Sequence, residues 1–234
     1  MRYLVSIIIW LYGSVLFFLV IVTITLMACV LPQRVYNPSA RFLLRFLVRA
    51  LGGRVTVEGL DRFDHNATFL FMSNHVSLFD VPILGGYIPN FARGVQAAHQ
   101  FKWPVFGQFL SRIGNIPIER KSPHASYRSL RKAAQQMKTG KSIIILPEGT
   151  RTRDGRLRAF KRLPFQLAKI ARADIVPIGT SGLFRFKART SWLIRPGPIK
   201  VKFGEPIYYR DVADLEIEQL RDLVRERIAA LIEF

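Results

Sequence analysis

Cysteine is nearly absent from this 234-residue chain. Cys29 stands alone, so an intrachain disulfide and a cysteine-based zinc site are both excluded. The four histidines, at 65, 75, 99 and 124, show no HExxH or other ligand spacing, and no structural metal is expected. Acidic residues are scarce: 16 Asp and Glu stand against 35 Lys and Arg, and the first acid is Glu58. Internal repeats and low-complexity linkers are missing too. With 50% hydrophobic and 22% charged residues, the composition excludes a disordered chain. The formal charge of +19 calls for an anionic partner: nucleic acid, an anionic membrane face, or acidic substrates and carriers.

Charge disappears altogether between Tyr3 and Gln33. That run exceeds the ~20 apolar residues that cross a bilayer core. Trp10 and Tyr12 suit interface anchors, and Gly13-Ser14 suits a kink. A signal peptide has a shorter apolar core of ~7–15 residues. A lipoprotein signal ending at Cys29 fits poorly because of Met27. A single span and a re-entrant hairpin both remain open. Arginines follow at 34, 41, 45, 49 and 54, which favours keeping that end cytoplasmic and suits anionic headgroups. Those at 41, 45 and 49 lie four apart among Phe and Leu. This predicts a basic amphipathic helix over 40–51, on the membrane surface or docked on the domain.

The expected organisation is a membrane-embedded segment over 1–33, a basic surface helix over 34–53, and an α/β domain over 54–234. Strands are predicted near 54–58, 67–72, 113–119, 142–146, 175–178 and 200–203, with 90–100 a loop or short strand. Helices are predicted from about 101 to 112, over 123–139, and over 215–232. The alternation predicts an α/β fold with a mostly parallel mixed sheet flanked by helices. The wholly apolar SIIIL run at 142–146 suits a central strand covered on both faces. Thr139-Gly-Lys-Ser142 is no P-loop: position 135 is Gln, and a strand follows instead of preceding.

The stretch Ser73 to Asp80 (SNHVSLFD) sits where one predicted strand hands over to a helix. On a straight helix, side chains five apart diverge by about 140° at ~3.6 residues per turn. His75 and Asp80 therefore meet only with His75 on the turn and Asp80 on the helix behind it. Asp80 then accepts the Nδ1 proton of His75 and leaves the other ring nitrogen as a general base. Pro147-Glu148-Gly149-Thr150-Arg151 follows the central strand at the end where open sheets bind ligands. Gly149 permits unusual backbone angles, Thr150 offers a hydroxyl, and Arg151 a planar fork suited to phosphate. Phe160-Lys161-Arg162 lies ten residues on, and Gly114 to Arg120 delivers another arginine from a strand end.

In these stretches the chain resembles the PlsC-type glycerolipid acyltransferases, most closely the bacterial 1-acyl-glycerol-3-phosphate acyltransferases. Four blocks carry the resemblance in order: NHVSLFD at 74–80, GNIPIER at 114–120, PEGTR at 147–151, and IVPI at 175–178. It extends over roughly residues 50–207 and takes in Gly204-Glu-Pro-Ile207. Two departures stand out. Phe160-Lys-Arg is followed by Leu163 where the family often has Gly, and Val95 to Gln100 lacks the family's lysine followed by an acid. They bear on the acceptor more than on the chemistry.

The resemblance implies a transfer of an acyl group from acyl-CoA or acyl carrier protein to the free hydroxyl of 1-acyl-glycerol-3-phosphate, or of another lysophospholipid or lyso-aminolipid. His75 and Asp80 would be the catalytic pair. Asn74, Ser77, Arg120, Glu148, Gly149, Thr150, Arg151 and Lys161 would bind substrate. No cofactor, no nucleic acid and no obligate protein partner are expected. The expected location is the cytoplasmic face of the inner membrane, among phospholipids. Two rivals come from the residues themselves: a serine hydrolase with Ser77 as nucleophile, which lacks a G-x-S-x-G elbow, and a basic nucleic-acid-binding protein.

Overall fold

A computed structural model describes residues 2–119 and 122–233. The chain opens with two helices, α1 (Arg2–Val30) and α2 (Gln33–Ala50), turning at Leu31-Pro32. Strand β1 (Gly53–Glu58) follows, then β2 (Leu70–Ser73), α3 (Asp80–Tyr87), β3 (Ala92–Ala97), α4 (Phe106–Arg112) and β4 (Ile116–Ile118). The remainder is α5 (Pro123–Lys138), β5 (Ser142–Ile145), α6 (Leu163–Ala171), β6 (Ile175–Ser181), α7 (Leu183–Phe186), β7 (Gly197–Phe203), α8 (Tyr209–Val212) and α9 (Ile217–Leu231).

The seven strands form one mixed sheet in the order β1-β7-β6-β2-β5-β3-β4. Five neighbouring pairs are parallel and only β6–β7 is antiparallel. The expected mostly parallel α/β architecture is what forms. Alternation within β2 shows how the core is divided. Leu70 and Met72 enter a cluster under α5, α6 and α9, while Phe71 enters one under α1, α2, α3 and α4. All four residues of β2 are buried, as are those of β6. Both strands are short apolar runs because helices cover both faces.

Helix α1 is one continuous helix of 29 residues, with no hairpin at Gly13-Ser14. Gly13 instead lets α2 approach: an added Cβ there would lie 2.7 Å from Leu51. Ser6, Ile9, Gly13, Val20, Ile21 and Ile24 are buried against the rest of the chain. That stripe at helical spacing docks α1 along most of its length. The opposite side, including Leu4, Ile8, Leu11, Val15, Leu19 and Leu26, stays exposed and apolar. By length and composition α1 can cross a membrane, with a mean hydropathy of 2.7.

Helix α2 begins at Gln33, at the start of the expected surface helix over 34–53, and runs through Pro38. Two of its arginines serve the domain rather than solvent. Arg41 Nη1 donates to Pro89 O at 2.7 Å and Arg45 Nε to Gly86 O at 2.6 Å. They satisfy carbonyls freed at and beyond the end of α3. Phe42, Phe46 and Arg49 remain exposed on the outer side.

Candidate active site

The carboxyl ends of the parallel strands meet at one edge, and the candidate site lies there. Chain leaving β2 turns through residues 74–79 before α3 starts at Asp80. The turn brings His75 Nδ1 within 2.6 Å of Asp80 Oδ2. That oxygen also accepts the backbone N–H of Val76 at 2.9 Å and of Ser77 at 3.1 Å. Asp80 Oδ2 is thus an acceptor toward three groups, so the proton between the pair sits on Nδ1. Nε2 then keeps its lone pair. Asp80 has 0% side-chain exposure and His75 has 21%, so the carboxylate is sheltered and the ring reaches the pocket.

The loop after β5 grips His75 by its backbone. The His75 N–H donates to Glu148 Oε1 at 2.7 Å, and the Thr152 N–H donates to the His75 carbonyl at 2.9 Å. Glu148 Oε2 accepts from the Arg158 N–H at 3.1 Å. Burial raises the Glu148 carboxyl above its ordinary value, partly offset by these backbone N–H groups. Gly149 takes a left-handed φ of 71°, which tightens the turn that presents Thr150 and Arg151.

Three residues expected to touch substrate are held in hydrogen bonds of the fold, though Ser77 also lines the cavity described below. Glu148 is 1% exposed, with both carboxylate oxygens on backbone N–H groups. Asn74, 2% exposed, pairs with Thr180: Nδ2 donates to its carbonyl at 2.9 Å, and Oδ1 accepts its N–H at 2.8 Å. It extends the β2–β6 pairing by a side chain acting as backbone. Ser77 is 0% exposed and its hydroxyl donates to Lys187 O at 2.8 Å. That engaged, buried hydroxyl counts against the serine-hydrolase rival. Lys161 has an exposed side chain away from the pocket, and only its N–H joins the site loop, at Pro147 O. Arg120 lies outside the described residues.

Sequence reading missed the segment after α7. Lys187 is 7% exposed; its Nζ donates to Ala188 O at 2.8 Å and lies 5.8 Å from the Trp10 ring centroid. Burial lowers its pKa, and the Arg151 charge lowers it further. Arg189 Nη1 donates to Thr150 Oγ1 at 2.9 Å and to Arg151 O at 3.2 Å. Of these cations Arg151 lines the cavity, while Lys187 and Arg189 stand beside its loop. No motif marks the Lys187 to Trp192 stretch (KARTSW), so only the fold reveals it. The same segment holds α1, because Trp10 Nε1 donates to Trp192 O at 2.6 Å.

His75, Asp80 and Arg151 line a cavity of about 620 Å³ that runs between α1, α2, α3 and α4. Its walls are mostly apolar, with Phe17, Leu44, Phe106 and Phe109 among them. Polar groups enter from β3 and its neighbour: Arg93, Gln96 and Asn115. Arg93 is held by the Ile113 carbonyl, and burial lowers its pKa. The size lies within the range of small-molecule sites, and an oriented imidazole at an apolar cavity is equipped for proton transfer on an amphiphile.

Comparison with known proteins places the chain in a family. The sequence profile of the acyltransferase family matches residues 54–181, more than half of the chain, so the chain belongs to the acyltransferase family. Its curated relatives include the 1-acyl-sn-glycerol-3-phosphate acyltransferase of Cocos nucifera, 31% identical over 77% of this chain. The Bacillus subtilis protein of the same name is 28% identical over 80%. The chain spans 58% of the Cocos protein and 87% of the Bacillus one. The fold matches the crystal structure of the 1-acyl-sn-glycerophosphate acyltransferase PlsC from Thermotoga maritima. That match has a TM-score of 0.83, 20% identity, and covers 98% of this chain and 95% of that one.

Proposed function

We propose that the protein transfers an acyl group from a thioester to the free hydroxyl of 1-acyl-glycerol-3-phosphate, giving phosphatidic acid. The observation that carries this reading is the His75–Asp80 pair at the mouth of an apolar cavity, with Arg151 on its rim. Membership of the acyltransferase family and the names of the relatives support it.

In the proposed reaction, His75 Nε2 takes the proton of the acceptor hydroxyl. The oxygen attacks the thioester carbonyl carbon. A C–O bond forms, the C–S bond breaks, and the thiolate leaves with the proton returned by the imidazolium. Asp80 holds the ring in its tautomer and stabilises the cation formed midway. The acceptor alcohol is itself the nucleophile, so no acyl-enzyme is required. The thioester supplies the activated acyl group, so no cofactor is required. Positioned general-base catalysis accounts for about 10²–10⁴ in rate, and holding both substrates in line supplies much of the rest.

The rim favours an anionic acceptor. Arg151 lines the cavity and its charge acts on Lys187, while Arg189 bonds to the Arg151 carbonyl; neither Lys187 nor Arg189 has a carboxylate among its named partners. A bound phosphate would relieve that repulsion and draw two-pronged bonds from Arg151. An amine-bearing headgroup would add to it. The exposed apolar side of α1 and the phenylalanines of α2 would seat this face in the membrane interface, where acceptor and product reside. The catalytic edge would then face the cytoplasm, where acyl thioesters are made.

The test is release of free thiol by purified protein given palmitoyl-CoA and a panel of lysophospholipids. The reading expects release that depends on 1-acyl-glycerol-3-phosphate, with phosphatidic acid as product. Release that proceeds without any acceptor would overturn it in favour of a thioesterase.

A further inference from the structure

We propose that Gln96 and Asn115 form a polar step in the apolar cavity that binds a hydroxyl on the acyl chain being transferred, so that a 3-hydroxyacyl thioester is favoured over its unsubstituted counterpart. The proposal rests on the acyl-transfer reading above and names the class of chain.

Strand register places the step. Phe71 of β2, Ile144 of β5 and Gly94 of β3 lie side by side. Side chains at one level of a parallel sheet share a face, and Phe71 belongs to the cluster under α1, α2, α3 and α4. Two residues further along, the same face carries Leu146 and Gln96, and both line the cavity. Gln96 is thus level with Ser73, two residues before His75. Strand β5 alone separates β3 from β2, so two spacings of ~4.8 Å put the Gln96 Cα about 10 Å across the sheet. The side chains of His75 and Gln96 both enter the cavity. They narrow that gap to the span of a chain's first few carbons, counted from a carbonyl at His75.

The chemistry of the step is specific. Gln96 Oε1 is buried without a hydrogen-bond partner. An amide oxygen only accepts, and a buried one left unmatched costs about 1–3 kcal/mol. Its missing partner must bring a hydrogen. Asn115 offers the reverse. Its Oδ1 accepts the Gly94 N–H at 2.9 Å, which fixes the amide and leaves Nδ2 as a donor with no acceptor among the described residues. Nδ2 lies over Gly94, where an added Cβ would stand 3.1 Å from it. Gly94 and Gln96 are about 6.6 Å apart along the strand. A hydroxyl that accepts from Nδ2 and donates to Oε1 spans about 5.6 Å, so it fits between them. A methylene satisfies neither amide. An ester carbonyl satisfies only Asn115, and an ionised phosphate leaves Gln96 unmatched. Arg93, the neighbouring cation, is drawn aside to the Ile113 carbonyl.

The experiment gives the full chain, in detergent micelles with 1-acyl-glycerol-3-phosphate, either palmitoyl-CoA or 3-hydroxypalmitoyl-CoA. Thiol release is followed. The wild type should show a kcat/KM at least fivefold higher for the hydroxylated donor. Gln96→Met keeps the length of the side chain and loses its amide, and it should lower the ratio of the two kcat/KM values at least fivefold. Asn115→Asp keeps the acceptor for the Gly94 N–H and removes the donor. It should lower the ratio as well, and it replaces the first variant should Gln96→Met not fold. A wild-type ratio of one or below would overturn the proposal and leave the step to water. So would a ratio that neither variant moves, or an equal rise in acceptor KM with both thioesters at an unchanged ratio, since the amides would then hold the acceptor. A wild type that releases thiol from neither donor sinks the acyl-transfer reading instead. The step is then read from tryptophan fluorescence, because Trp10 and Trp103 line the cavity. Titration should show 3-hydroxypalmitate binding at least fivefold tighter than palmitate in the wild type and not in Gln96→Met; equal affinities in the wild type would overturn the proposal.

Discussion

At the scale of single residues, the site divides into groups that face the pocket and groups that hold those groups still. Arg151 is of the first kind. Replacing it with alanine should raise KM for 1-acyl-glycerol-3-phosphate at least tenfold while moving KM for the thioester little, because the proposed contact with the acceptor phosphate would be lost. Steady-state kinetics with each substrate varied in turn checks this. Glu148 is of the second kind. In Glu148→Gln one carboxylate oxygen becomes an NH2, which then faces the N–H of His75 or of Arg158. A buried mismatch of that kind costs about 1–3 kcal/mol. The variant should melt several degrees lower and lose kcat with little change in either KM. Asp80 combines both roles, since Oδ2 orients His75 and also pins the turn through Val76 and Ser77.

The His75–Asp80 contact was legible in the sequence because five-residue spacing across a strand-to-helix turn permits it and a straight helix does not. The function of Asn74, Ser77 and Glu148 was not legible. Polar residues beside a catalytic motif look alike on paper whether they face substrate or replace backbone hydrogen bonds. Burial alone separates them, and burial is a property of the packed chain.

At the scale of elements, apolar runs announced β2, β5 and β6 because both faces of each are covered. Strand β3 (ARGVQA) was ambiguous: its residues carry little strand preference, and pairing with β5 and β4 decides its conformation. Helix α2 continues through Pro38, which sits within its first two turns. The far edge of the sheet offers a pH test. Lys200 Nζ lies 2.9 Å from Glu233 Oε2 and 3.3 Å from Glu58 Oε1, and Lys202 joins both acids. Hydrogen bonds from Lys200 and Lys202 hold the Glu233 carboxyl below its ordinary value. A depressed folded pKa stabilises above the unfolded glutamate pKa of about 4.3, and that contribution is lost as pH falls through the folded value. Glu233→Gln should therefore melt below wild type at pH 7, with the two curves converging toward pH 3. The gap at pH 7 should shrink in 0.5 M NaCl, as befits an exposed cluster.

At the scale of the whole molecule, the sheet separates two environments. Helices α1 and α2 present an apolar outer surface and wall the cavity, while α5, α6 and α9 close the other face. The sequence announced an apolar N-terminus but not its docking on the domain, because a stripe of Ile, Val and Gly is hidden within a run apolar on every side. The segment from Lys187 to Ile194 joins the halves of the account: it touches α1 through Trp10 and Ser6, and the site loop through Arg189.

The most direct measurement is acceptor-dependent thiol release by His75→Ala beside wild type, under saturating thioester and 1-acyl-glycerol-3-phosphate. Melting curves accompany it to establish that the variant is folded. The account predicts a fall of at least about 100-fold in kcat with the fold intact. A folded His75→Ala protein that releases thiol within a few-fold of the wild-type rate would contradict it.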